Sequence, residues 1–199
     1  MRATVDYWVN SLDGQPFMVI NQVVDHGLIH TIEKEILPRL EVQHPAFVNT
    51  TPSVEQTTTA SAVIEGEFIP AFKVKSAPKV PHRLTLVFDR EGYSPEFFLR
   101  MRDKDVACLT YHKYPGLAWP EEEFQTSSVR LVSGHVVSMR LAERGTCMSN
   151  KLWLREIRKL TERGHQTSIL ATDYLTPMDV LASCMFARWS QENLFAMPE

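Results

Sequence analysis

With 199 residues, 44% of them hydrophobic and 23% charged, the chain is long enough for one buried core and too polar for a bundle of membrane spans. No apolar run approaches the roughly 18 residues that cross a bilayer, and "MRATVDYWVN" lacks the apolar centre of a signal peptide, so a cytoplasmic protein without a membrane partner is expected. A net charge of −3 argues against a domain that binds nucleic acid by bulk charge, and three scattered cysteines (Cys108, Cys147, Cys184) argue against a disulfide framework or a thiolate zinc site.

In chain order, "ATVDYWV" and "PFMVINQVV" are rich in β-branched and aromatic residues and flank Asp13-Gly14, a hairpin turn signal. "GLIHTIEKEILPRL" repeats Leu28, Ile32, Ile36 and Leu40 as one stripe of an amphipathic helix, which Pro38 should end or kink. Residues 45–81 have five prolines and no period, and read as a long flexible connection. Order resumes with the buried-type strand "RLTLVFD", the turn "REGY", a helix capped by Ser94 with Pro95 in its first turn, and the strand "VACLTYHK", together a parallel crossover unit. "EFQTSSVRLV", "HVVSMRLAE", "LWLREIRKL" and "HQTSILATDY" follow as an antiparallel block with turns at Gly134, Gly145 and Gly164. Thr176-Pro177 then opens a last helix. The expected division is a hairpin and helix over 1–44, the connection over 45–82, strand–helix–strand over 83–120, a β-rich stretch over 121–175 and the closing helix over 176–199.

Two carboxylates stand where a fold seldom wants them. Projected at about 100° per residue, the last helix places Glu192 on an arc with Leu181, Cys184, Met185, Arg188 and Trp189, and Ser183 opposite. A carboxylate turned to a sheet costs several kcal/mol unless paired or bound to a cation; pairing with Arg188 is the structural alternative. Asp89 ends the parallel strand "LTLVFD", where open α/β sheets hold ligands, although an Asp before Gly92 also suits a plain turn. Together they offer the oxygen ligands that a hard divalent cation needs for phosphoryl transfer. Asp173, at the end of "SILATD", fits a turn better than a third ligand. His26 and His30 have helical spacing but no accompanying third ligand for zinc. Lys151, Arg155, Arg158, Lys159 and Arg163 form the one basic strip, diluted by Glu156 and Glu162, and read as a solvated strand face or a local DNA contact.

At "LTLVFDREGYSPEFF", "LWLREIRKLTERGHQTSILATDY" and "FARWSQENLF" the chain resembles the catalytic domain of bacterial insertion-sequence transposases of the DDE type, over about residues 3–195. The resemblance implies an α/β fold with a mixed sheet, a ribonuclease-H-like core with an antiparallel β insertion before the final helix. It makes Asp89 and Glu192 catalytic ligands of a two-metal Mg2+ or Mn2+ site and Arg188 a DNA-contacting arginine; Lys151, Arg155, Arg158 and Lys159, from the charge clustering of the basic strip, are the other candidate DNA contacts. The implied partners are transposon-end DNA and a second copy in a homo-oligomer. The family's first aspartate has no clear counterpart: either Asp6 supplies it, or its strand lies upstream of Met1, which is the preferred expectation. The latter makes the chain a fragment truncated at both ends, with little or no transposition activity alone. A stand-alone nuclease using Asp6, Asp89 and Glu192, and a non-catalytic interaction module, are the alternatives.

Overall fold

The computed structural model describes residues 4–12, 14–43 and 82–186. The first two strands, β1 (Val5–Asn10) and β2 (Pro16–Gln22), pair antiparallel through a tight turn. Strand alternation gives the hairpin an inner face of Tyr7, Val9, Met18 and Ile20, which joins the core, and an outer face on which Trp8 sits opposite Val19. The helix that follows continues past Pro38, contrary to expectation. Leu28–Thr31 (α1) and Leu37–Gln43 (α2) are joined without a break by a π-helical stretch, Ile32–Ile36. Proline has no N–H to donate, and its ring would strike the carbonyl four residues back; the wider π turn just before it relieves that conflict.

Six strands make a single curled mixed sheet: β3 (Leu84–Phe88), β4 (Val106–Tyr111), β5 (Gln125–Arg130), β6 (Val136–Cys147), β7 (Trp153–Leu160) and β8 (Gln166–Ala171), in the order β3-β4-β8-β7-β6-β5. Only β3 and β4 are parallel. Helix α3 (Pro95–Arg102) connects them; the Ser94 hydroxyl accepts from the Phe97 N–H, and Phe97, Phe98 and Met101 are buried. The β-rich stretch is therefore not a separate layer, because β8 pairs antiparallel with β4 and makes one continuous surface. By contrast, among the described residues the hairpin forms a separate two-stranded sheet, and its inner side chains pack into the core of the rest. Gly145 is not in a turn either. It lies inside β6, with the Trp153 ring 3.5 Å from where a Cβ would stand, and the reversal comes later, at Met148–Lys151.

The two faces of the sheet differ. On one, Leu109, Val129, Leu141, Ile157 and Ile169 pack under α4 (Met178–Phe186) through Leu181, Ala182 and Met185. On the other, Phe88, Val106, Cys108, Leu154 and Leu170 pack against α1, α2, α3 and the hairpin. Toward β6 and β7 this second face turns polar, and residues 112–124 cross over it. Among the described residues no helix is long and apolar enough to cross a membrane.

Candidate active site

Asp89 leaves the carboxyl end of β3 and caps the 3-10 turn Arg90–Gly92, its Oδ1 accepting from the Arg90 N–H. The Thr110 hydroxyl, fully buried on β4, donates to the Asp89 carbonyl at 3.0 Å and ties the strand end to its neighbour. Gly92 is needed here because a Cβ would come within 2.5 Å of the Phe88 ring. These local bonds hold the backbone but leave the side chain exposed. Val87 packs with the cluster beneath α4 whereas Phe88 belongs to the opposite cluster, so alternation assigns position 89 to the α4 face. Glu192 and Arg188 lie outside the described residues.

Asp6 is not brought to Asp89. It sits on the outer face of the hairpin, in the other sheet, and accepts from Asn21 Nδ2 at 2.5 Å. Among the described residues no three His, Cys, Asp or Glu side chains are grouped to hold a metal ion. Asp173 has a turn role: its carboxylate accepts from the Leu175 N–H at 2.7 Å, from the Thr176 N–H at 3.1 Å and from the Thr176 hydroxyl. Burial opposes its charge, but these bonds hold its carboxyl below the usual range. His26 and His30 simply pack ring to ring at 5.0 Å.

The basic strip is not one solvated face. Arg155 donates to both carboxylate oxygens of Glu143 and to the carbonyls of Asp173 and Thr176, clamping the start of α4 to β6 and β7. Arg158 is only 3% exposed. Its Nε and Nη2 reach Glu156 Oε1 at 2.8 Å, Nη1 reaches the Leu117 carbonyl at 2.8 Å and Gln166 Oε1 at 3.2 Å, and Nη2 also donates to the Pro115 carbonyl. The guanidinium is thus held by four hydrogen bonds, from Nε, Nη1 and Nη2, and by the ion pair with Glu156. Lys159 lies with its ammonium 5.7 Å from the Phe186 ring, and Lys151 is exposed in a left-handed conformation at the β6–β7 reversal.

Sequence reasoning missed this polar centre. Ser168 donates to Glu156 Oε1 at 2.8 Å, and His112 Nδ1 lies 3.4 Å from the same oxygen without making a hydrogen bond. Burial opposes the charge of Glu156, yet His112, Ser168 and Arg158 together hold its carboxyl below the usual range. The shorter Arg158 and Ser168 contacts are the better aligned. Trp119 lies between two guanidiniums, with Arg158 Cζ at 4.3 Å and Arg144 Cζ at 4.6 Å from its ring centroid. Beside it is a cavity of about 480 Å³. One signal was legible: in "LWLREIRKL" Leu154, Glu156, Arg158 and Leu160 alternate onto one strand face, which puts a charge pair among leucines.

Residues 67–198 match the model of a family described as transposase protein. No curated protein matches the chain.

Proposed function

We propose, from the premise that this chain belongs to the transposase protein family, that it carries a DDE-type, ribonuclease-H-like catalytic domain of an insertion-sequence transposase. Its chemistry would be cleavage and joining of DNA strands by attack of water or a 3′-hydroxyl on phosphate. The observation that carries this reading is the position of Asp89, at the carboxyl end of a parallel strand and on the face covered by α4. Glu192 follows Phe186, the last described residue, by six positions in the sequence.

Asp89 fits a divalent cation chemically: it is an exposed carboxylate whose Oδ1 accepts from the Arg90 N–H. When bound, Mg2+ or Mn2+ would supply charge neutralisation at phosphate and an activated oxygen nucleophile. The chain's own part is to hold the acid at a fixed strand end, through the Arg90 N–H and the Thr110 hydroxyl.

Backbone cleavage by Fe2+ and peroxide is a direct test of the shared site: cuts at both Asp89 and Glu192 are expected, suppressed by excess Mg2+. A cut at one acid only would overturn a shared site.

A further inference from the structure

We infer that Tyr114, with Lys113, is a stacking platform for an unpaired base of a DNA strand lying beside Asp89. The inference rests on Asp89 belonging to the phosphoryl-transfer site proposed above. Single exposed apolar side chains are ordinary, so exposure of Tyr114, at 68%, means little alone. What sets this tyrosine apart is how it is fixed.

Its ring meets the Tyr93 ring edge-on, at 5.9 Å and 87°, and Tyr93 in turn stacks on the buried His112 at 5.8 Å and 16°. Tyr93 immediately follows the 3-10 turn that Asp89 caps. The loop tip is anchored from beneath as well. Arg158 grips the carbonyls of Pro115 and Leu117, on either side of Gly116, whose φ of +67° makes a reversal that an L side chain resists. An aromatic ring held this way loses little freedom when a base stacks on it.

Position and charge agree with a nucleic-acid strand. Thr110, bonded to the Asp89 carbonyl, is four residues before Tyr114, so the two lie no more than about 14 Å apart along the chain. That span is a few nucleotides. Lys113 holds its ammonium 5.7 Å from the Tyr114 ring centroid, where it could meet the phosphate next to a stacked base. The buried Arg158 therefore positions the platform and does not itself touch DNA.

The test is anisotropy of a fluorescein-labelled oligothymidylate of about ten nucleotides with the full chain, in EDTA so that no metal takes part. Tyr114→Ala should weaken binding about tenfold while Tyr114→Phe keeps it, with thermal midpoints unchanged in both. Lys113→Ala should lower the salt dependence by about one phosphate contact. Equal binding by Tyr114→Ala and parent, or no binding by the parent, would overturn the platform. Loss on Tyr114→Ala alongside a single-acid Fe2+ cut would keep the platform and sink the shared metal site; the reverse pattern would do the opposite.

Discussion

The two faces of the antiparallel sheet solve the same burial problem with different chemistry. Under α4 the strands present Leu141, Ile157 and Ile169, and the helix covers them with Leu181, Ala182 and Met185, so non-directional apolar contact suffices. On the opposite face Glu156, Arg158 and Ser168 are buried to the same degree, and the covering segment is an irregular loop. Here the cover is tied by direction: Arg158 to two carbonyls, and Gln166 to both the N–H and the carbonyl of Trp119, at 2.9 and 2.7 Å. An apolar face tolerates sliding, whereas a bonded one fixes a loop tip, and the fixed loop follows β4 at the same end of the parallel pair from which Asp89 leaves β3.

The sharpest way to break this contrast is to remove one partner from the polar face. Arg158→Ala leaves Glu156 buried and unpaired and frees the loop carbonyls, and should cost about 3–5 kcal/mol in urea unfolding. Replacing both members, Glu156→Leu with Arg158→Met, should cost far less than the single change, because no orphaned charge remains. If the double variant proved as unstable as Arg158→Ala, the pair would not be the latch. On the apolar face, Ile157→Ala should lose about 2–5 kcal/mol through transfer and cavity terms, with no change in acid sensitivity.

Acid offers a smaller and distinct probe. Glu156 has a folded pKa below its unfolded one, so its contribution is complete above the unfolded carboxylate range and disappears as pH falls through the folded value. Glu33, whose carboxyl is lowered chiefly by Arg100, adds in the same direction. Thermal midpoints of the parent should therefore fall more steeply on acidification than those of the Glu156→Leu, Arg158→Met variant. Parallel curves would show that Glu156 does not contribute. The smallest expected effect is at Gly145, inside β6 with room for a methyl group beside Trp153. Gly145→Ala should stabilise by about 0.4–1 kcal/mol by restricting the unfolded chain, measured by the same urea titration.

Local signals in the sequence were good guides wherever a single element decided the outcome. Ser94-Pro95, the alternation of the four late strands and the turn glycines 134 and 164 each act within a few residues, and the structure shows them in those roles. Long-range arrangement was less legible. Nothing in "ATVDYWV" says whether its edge meets another strand, and nothing in "LWLREIRKL" says that a loop some forty residues earlier will fold down on Arg158. A cationic side chain on a strand reads as solvated until its acceptors are known, and here two of those acceptors are backbone carbonyls without a sequence signature. Helix projection erred for a related reason: Ser183, placed opposite the apolar arc, is buried with its hydroxyl donating to the Arg130 carbonyl at 2.9 Å. Of the candidate site, Asp89 and its strand end were readable, and the bond from Thr110 that holds them was not.

The central claim is that Asp89 and Glu192 share a metal, and calorimetry tests it most directly. Titrating Mn2+ and Mg2+ into the parent chain and into Asp89→Asn and Glu192→Gln should show binding in the parent that both variants lose, with all three chains still folded. No binding by the parent, or binding untouched by either substitution, would contradict the claim.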